Sequence, residues 1–369
     1  MFGRRRNNSH RGLCRRGPGP RRSTAQKTRV KTNYRTLLAI VAIASPPLAA
    51  HHSPIIFDTD SVVVLQGQIS RYDWANPHSY IFVEAINDNG ETTKWQLETD
   101  ATPILQRNGW TPESLAPGDL VSVRANPDRR TDRAHAMLIS LEKEDGSVLT
   151  PTSGDRNAPS SAPHEASLAG IWEQRFENFL EFRIQGLDVT TTDKGTAARA
   201  AYEIRTDNPV SRCVAYPSPM IVAAPQYLNE ITLHADRVTI RTEFYDVERT
   251  IFTDGRDHPE NTERTNQGHS IGTWDGNVLV VDTTLFADHR STLPGTGLPS
   301  GSQKHVVERY ALSEDGTEIR IDFTLEDPEY LAEPFTGTLE WRQSAYTEIS
   351  AFGCTLDQAT RFMSEPPAP

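Results

Sequence analysis

The feature that most constrains the fold is a succession of short, β-type segments separated by turn sequences. Asp-Gly or Gly-Asn turns at 254–255, 275–277 and 315–316 bound several of these segments in the second half of the chain. The segments are rich in β-branched and aromatic residues, and they lie at 231–233, 237–244, 247–252, 278–283, 304–312, 317–325 and 337–345. This spacing predicts an all-β fold with minor helix, either a closed or nearly closed antiparallel barrel or a two-sheet sandwich.

The region 51–148 has a different order of elements. Strand-type segments at 62–69, 79–85 and 92–98 precede a short helix signal at 102–109, where Pro103 occupies the first helical turn and Gly109 ends it. Two further strand-type segments follow at 120–125 and 134–143. Three strands, one helix and two strands is the element order of a small OB-like barrel.

A linker separates the two β-rich regions. Residues 149–166 are rich in Pro, Ser, Ala and Gly and lack apolar periodicity. The predicted organisation is therefore a leader over 1–50, an OB-like domain over 51–148, the linker, and a larger domain over 167–369. We expect the larger domain to be a lipocalin-like barrel or a sandwich, with its strongest helix signal at 192–202.

The leader predicts export. A short apolar run at 37–44 is followed by Ser45, two prolines and the small residues Ala49 and Ala50, which is typical of a secretory signal cleaved near Ala50. The run is too short to span a bilayer, which needs about 20 residues. The 12 basic residues before position 36 fit either a nucleic-acid-binding arm or a start site placed too early. We favour the second interpretation, with translation beginning at Val30, and expect a periplasmic or secreted protein without membrane insertion after cleavage.

The net charge of the chain after the leader indicates which classes of partner it can bind. After the leader, 26 Lys and Arg face 49 Asp and Glu, and so acidic a chain repels nucleic acids and anionic lipid surfaces. A small-molecule ligand is the expected partner, and the sequence leaves the oligomeric state open.

The exported region contains two cysteines, Cys213 and Cys354, which predicts a disulfide between them.

Three histidines form the candidate metal site. Cleavage after Ala50 exposes His51 and His52 at the amino terminus, and His78 follows in an Asn-Pro-His sequence. A terminal amine with an N-terminal imidazole chelates a cation through nitrogen, and a third imidazole completes a copper-type ligand set. The alternative is a polar terminus without metal, with His78 packing in its turn. Copper is the only cofactor that the sequence suggests.

The second candidate site is the polar stretch from 254 to 274. It contains Arg256, His258, His269 and Trp274, which are the predicted ligand-binding residues. Long irregular loops at a barrel rim often carry function. For catalysis, His269 or His258 is the candidate base, and Asp282 or Glu308 on the following strands is the candidate orienting carboxylate. The alternative is structural, with Arg256 paired to an acid and His269 bonded to backbone.

Both β-rich regions resemble uncharacterised families of exported bacterial proteins. The first is similar to a family that carries a mature end His51-His52-Ser53 and the motif Trp74-x-Asn76-Pro77-His78. The second is similar to a separate family with Asp254-Gly255-Arg256-x-His258-Pro259 and Gly268-His269-Ser270-Ile271-Gly272-x-Trp274. The second family usually has Trp-Met where this chain has Asn266-Gln267. The resemblance implies export and a β fold, and it brings no established activity.

These observations leave three classes of function, and whether the protein is an enzyme stays open. The leading expectation is a non-catalytic small-ligand-binding protein, with copper as a subsidiary hypothesis. The rivals are an exported hydrolase or isomerase that uses His269 with a carboxylate, and an interaction protein of an envelope complex. The chain has no Gly-x-Ser-x-Gly elbow, P-loop, dinucleotide fingerprint, CxxC or HExxH sequence.

Overall fold

The computed structural model of the protein describes residues 56–86, 90–151, 166–224, 226–260, 263–288, 290 and 296–360. The predicted signal segment, His51, His52 and most of the predicted linker lie outside these residues. Ala49–Pro369 forms one compact unit, which contains two β-sheets. Within the described part of the chain, no helix combines the length and the apolar character needed to cross a membrane.

The structure is mostly β, as predicted. The first sheet contains six strands: β1 (Val63–Asp73), β2 (Tyr80–Ile86), β3 (Thr92–Glu98), β4 (Leu120–Pro127), β5 (His135–Lys143) and β6 (Val148–Leu149). The second contains nine: β7 (Gly170–Gln174), β8 (Leu228–Leu233), β9 (Arg237–Thr242), β10 (Val247–Phe252), β11 (His269–Asp275), β12 (Val278–Thr284), β13 (His305–Leu312), β14 (Glu318–Glu326) and β15 (Phe335–Gln343). The α-helices are α1 (Thr102–Arg107), α2 (Phe176–Leu187), α3 (Asp193–Ala200), α4 (Ile204–Asp207) and α5 (Leu356–Ala359).

The first sheet closes into a small barrel. Its strand order is β3-β2-β1-β4-β5-β6, and an additional parallel pairing of β3 with β5 joins the ends of a five-stranded ring. The other four pairings of the ring are antiparallel. Helix α1 lies between β3 and β4 in sequence, so the predicted order of three strands, helix and two strands is confirmed.

The second sheet is a closed nine-stranded barrel, which confirms the predicted barrel and excludes the sandwich. The ring closes where β15 pairs with β7. Neighbouring strands are antiparallel except β10 and β11, which are parallel. A closed ring with an odd number of strands requires at least one parallel pair, and parallel neighbours need a connection of about a dozen residues or more. Here that connection is the segment 253–268, called the β10–β11 loop below.

The interior of the large barrel is filled by protein. Residues 215–224 enter it as a mostly buried segment that ends in a 3-10 helix, Met220–Ala223. The indole nitrogen of the buried Trp341 donates a hydrogen bond of 2.9 Å to the carbonyl oxygen of Val222. Asn266 and Gln267 of the β10–β11 loop donate to the carbonyls at 215 and 216. The loop therefore anchors the segment that fills the barrel.

A disulfide joins Cys213 to Cys354, as predicted. It connects the chain just before the interior segment to the chain after the last barrel strand, across 141 residues of sequence. Cross-linking positions so far apart lowers the entropy of the unfolded chain and stabilises the fold by roughly 4–5 kcal/mol in the chain-entropy account.

The two barrels contact each other through an ion pair and through apolar side chains. Arg107 at the end of α1 donates to both carboxylate oxygens of Glu243, each at 2.7 Å, and Glu243 follows β9 of the large barrel. The Glu243 side chain is fully buried and also accepts from the backbone amides of Leu228 and Ser350. Ile104 of α1 joins the hydrophobic core of the large barrel. The two barrels are therefore held at α1 by a buried ion pair beside an apolar contact.

We expect Arg107→Met to lower the free energy of unfolding by about 3 kcal/mol, because it leaves the Glu243 carboxylate buried without its cation. The matched control is Arg124→Met, since Arg124 is exposed on β4, and it should change the free energy of unfolding by less than about 0.5 kcal/mol. Urea unfolding followed by circular dichroism measures both. Equal effects of the two substitutions would show that the ion pair does not hold the barrels together.

Candidate functional site

A row of titratable side chains crosses the outer wall of the large barrel. His269 begins β11, Asp282 lies on β12, and His305 begins β13 opposite Glu326 at the end of β14. The residue that adjoins each of them along its strand points into the barrel and is buried: Ser270, Thr283, Val306 and Leu325. Because side chains alternate along a strand, the four titratable groups point outward.

The β10–β11 loop completes the row by placing His258 over it. His258 Nδ1 lies 2.9 Å from His269 Nδ1, and His258 Nε2 lies 3.1 Å from Asp282 Oδ1. The same Asp282 oxygen is 3.0 Å from His305 Nε2, and His305 Nδ1 is 3.2 Å from Glu326 Oε2. Five side chains thus form one continuous hydrogen-bonded chain, called the histidine–carboxylate row.

The order of donors and acceptors in the row follows from the fixed acceptor at Asp282. An ionised carboxylate only accepts hydrogen bonds, so His258 carries its proton on Nε2 and donates it to Asp282. In the tautomer in which His258 carries only this proton, its Nδ1 has a lone pair, which accepts from the Nδ1–H of His269 at 2.9 Å. That assignment leaves the Nε2 of His269 as an unprotonated nitrogen, and no described residue hydrogen-bonds to it.

The two ends of the row have opposite preferences for the proton. Partial burial lowers the pKa of His269, and the adjacent His258 and Arg256 lower it further, so His269 is neutral at pH 7. Burial opposes the charged form of His305, but hydrogen bonds and charges of Asp282 and Glu326 outweigh it and raise the pKa of His305. The row therefore has a basic nitrogen at one end and favours an imidazolium at the other.

Aromatic and cationic groups surround the basic end. The ring of His269 stacks on Phe252 with centroids 5.3 Å apart. The guanidinium carbon of Arg256 lies 3.8 Å from the centroid of the same Phe252 ring, and the guanidinium forms an ion pair with Asp254. Arg256 thus has the structural ion pair that the alternative interpretation expects, while it also lies beside the predicted site. Trp274 is 46 % exposed at the far end of β11.

Of the four catalytic candidates, the structure brings His258, His269 and Asp282 together and places Glu308 elsewhere. Glu308 is fully buried inside the barrel, because its position on β13 has the opposite alternation to that of His305. There it pairs with the guanidinium of Arg249 and accepts from Ser218 Oγ at 2.7 Å. Glu308 therefore cannot orient His269, and its partner is a buried arginine.

This interior ion pair belongs to a polar cluster that the sequence analysis did not identify. Arg249 also donates to Ser270 Oγ at 3.2 Å and to Thr283 Oγ1 at 2.8 Å, whereas its Nη1 is buried without a hydrogen-bond partner. Nearby, the ammonium of Lys304 donates to the carbonyl of Ser218. Burial lowers the pKa of Lys304 to about 7, against the opposing effect of Asp327 and Glu308.

The copper prediction falls mainly on undescribed residues. His51 and His52 lie outside the described part of the chain, and the copper site stays a prediction. His78 lies at the entrance to β2, where its Nδ1 is 3.1 Å from the carbonyl oxygen of Thr99. Within the described ranges, no three His, Cys, Asp or Glu side chains are already arranged to hold one metal ion.

Comparisons with known proteins bear on the first barrel. The model of a family described as "Family of unknown function (DUF6152)" matches residues 38–137, which confirms the similarity to an uncharacterised family there. The curated proteins give no match. Among solved structures, a mutant of the fluorescent protein UnaG is 11% identical, covering 48% of this chain and 97% of that chain with a TM-score of 0.24. So low a likeness carries no information about activity.

We expect Glu326→Gln to lower the pKa of His305, because the substitution removes one of the two carboxylates that favour the imidazolium. The pH titration of the His305 ring protons by NMR measures the change. Since a raised pKa stabilises the fold below pH about 6.5 and less as pH rises, the variant should lose more stability at pH 5.5 than at pH 9. Glu248→Gln, an exposed carboxylate on β10, is the control, and an equal titration in both variants would contradict the assignment.

Proposed function

We propose that the protein is an exported acid–base enzyme of hydrolase or isomerase type, in which His269 is the general base. The observation that carries this proposal is the order of hydrogen bonds in the histidine–carboxylate row. Asp282 fixes the tautomer of His258, and His258 fixes that of His269, which leaves a neutral imidazole nitrogen free to accept a proton. Export rests on the leader sequence.

The row supplies two parts of an acid–base mechanism. His269 Nε2 accepts a proton from water or from an acidic C–H or O–H group of a substrate. The positive charge that develops on His269 is stabilised through His258 by the carboxylate of Asp282, which also holds the imidazole in one orientation. On proton return, the same nitrogen acts as the acid. Asp282 and His258 are positioning residues, and His269 is the proposed catalytic residue.

The pKa of His269 suits this role. A base must be unprotonated at the working pH, and the lowered pKa of His269 keeps its Nε2 free of a proton from slightly acidic pH upward. The stacking on Phe252 and the bond to His258 restrict ring rotation. A base of this kind is prepared for reaction without a conformational change of its own ring.

The test is hydrolysis of a panel of p-nitrophenyl esters and of a phosphate monoester at pH 5–9. We expect wild-type protein to accelerate at least one substrate, with a rate that rises with pH through the lowered pKa of His269. His269→Gln should reduce that rate by roughly 10²–10⁴-fold, and Asp282→Asn should reduce kcat with a shifted pH profile. The exposed His234→Gln is the matched control. Equal rates for wild type and His269→Gln on every substrate would refute a hydrolytic base.

A second function, binding of a small ligand in the large barrel, is favoured by one observation. The Nη1 donor of Arg249 is buried in the barrel interior with no acceptor, and leaving a buried charged donor unpaired is costly. A ligand carboxylate satisfies such a donor. Because residues 215–224 occupy the interior, binding in this case requires that segment to shift.

We expect a carboxylate ligand of this kind to raise the melting temperature of the wild type in a thermal-shift screen of linear monocarboxylates from acetate to palmitate. Arg249→Gln/Glu308→Gln, which removes both interior charges together, should abolish the shift while the protein still folds. Arg241→Gln, on the outer face of β9, is the control. A shift of equal size in the double variant would place the ligand outside the barrel interior.

A further inference from the structure

His305, at the far end of the histidine–carboxylate row, lies between two carboxylates. Its Nε2 is 3.0 Å from Asp282 Oδ1 on β12, and its Nδ1 is 3.2 Å from Glu326 Oε2 on β14. Ionised carboxylates only accept hydrogen bonds, and a neutral imidazole has one N–H donor and one lone pair. Neutral His305 therefore directs a lone pair toward one of the two carboxylates. Only the charged imidazolium form of His305 donates to both.

Asp282 connects His305 to the other end of the row through a single atom. The same oxygen, Oδ1, lies 3.1 Å from His258 Nε2 and 3.0 Å from His305 Nε2. The two imidazole nitrogens are therefore no more than about 6 Å apart, a separation at which a positive charge on one ring disfavours a positive charge on the other. The negative charge of Asp282 is thus shared between two imidazoles.

The uptake of a proton by His269 also depends on Asp282. His269 donates its Nδ1–H to His258 Nδ1 at 2.9 Å, and His258 donates its Nε2–H to Asp282. Positive charge that forms on His269 is stabilised by the carboxylate along these two hydrogen bonds. When His305 is charged, it already offsets part of the carboxylate charge, so less stabilisation is available to His269. When His305 loses its proton, that stabilisation is restored.

Different charged and titratable groups act on the two ends of the row. Burial lowers the pKa of His269, and His258 and Arg256 of the β10–β11 loop lower it further. Burial also opposes the charged form of His305, but Asp282 and Glu326, on the strands that flank β13, outweigh it and raise the pKa of His305. Of these groups, Asp282 is the one bonded both to His305 and to the hydrogen-bond partner of His269.

We propose that His305 is a positioning residue that regulates the proposed base through Asp282: charged His305 weakens His269 as a base, and neutral His305 strengthens it. The catalytic meaning of this coupling rests on the proposed function of His269, whereas the coupling itself requires no substrate. The rate should therefore rise in two steps with pH. His269 loses its proton in the first step, and His305 loses its proton in the second, at higher pH.

The experiment compares a side chain that never carries the charge with one that always carries it. His305→Gln keeps an N–H donor without charge, and His305→Lys is positively charged from about pH 5 to 9. NMR titration of the His269 ring protons measures how tightly His269 binds its proton. We expect binding roughly threefold tighter in His305→Gln than in His305→Lys. The factor is modest because the His305 and Asp282 side chains are 31 % and 42 % exposed, and solvent screens the charge.

Two further substitutions test the route of the coupling. In an Asp282→Asn background, the difference between His305→Gln and His305→Lys should disappear, because the shared carboxylate is gone. Arg309→Gln is the matched control, since Arg309 lies on the outer face of the same strand and pairs with Asp275. Its loss removes a positive charge outside the row and should leave the titration of His269 unchanged. Circular dichroism shows that each variant is folded.

Equal titration of His269 in the folded His305→Gln and His305→Lys variants would overturn the proposal. A change of the same size in Arg309→Gln, or a difference that persists in the Asp282→Asn background, would also overturn it, because the effect would then not pass through Asp282. If neither His305 variant folds, Glu326→Gln provides the test, since the second step of the rate should move to lower pH. A protein inactive on every ester contradicts the proposed base, whereas the titrations still decide the coupling.

Discussion

A closed ring with an odd number of strands cannot be antiparallel throughout, and both barrels of this protein obey that constraint with one parallel pair each. In the large barrel, the parallel pair requires the β10–β11 loop, and this loop brings His258 over the outer wall. In the small barrel, the parallel pair sets His135 beside Glu98. Each group of histidines and carboxylates therefore lies where the regular antiparallel meander is interrupted.

The filled interior explains why the histidine–carboxylate row lies outside the barrel. Residues 215–224 and side chains such as Trp341 occupy the space within the ring. The charged pair of Arg249 and Glu308 is enclosed there, with hydroxyl groups as further partners. Side chains on the outer face of the barrel remain accessible to a substrate. In the row across β11–β14, His269 has His258 as a hydrogen-bond partner on Nδ1, and its Nε2 faces away from that partner.

The sequence predicted the classes of element better than their arrangement. Turn signals and β-branched segments identified most strands and the two barrels, and a cysteine pair in an exported chain predicted the disulfide. His258, His269 and Asp282 were predicted because they are close in sequence. His305 and Glu326 were missed because only strand register places them beside Asp282. The inward position of Glu308 follows from the alternation of side chains along β13. It could be predicted only once Val306, two residues earlier on the strand, was known to be buried.

The measurement that tests the account most directly is the protonation state of each imidazole nitrogen by ¹⁵N-resolved NMR at neutral pH. We expect that His269 carries its proton on Nδ1 and none on Nε2, and that His258 carries a proton on Nε2, from which it donates to Asp282. His305 should be protonated on both nitrogens at a higher pH than His269. A proton on Nε2 of His269, with Nδ1 unprotonated, would contradict the order of hydrogen bonds on which the proposed base depends.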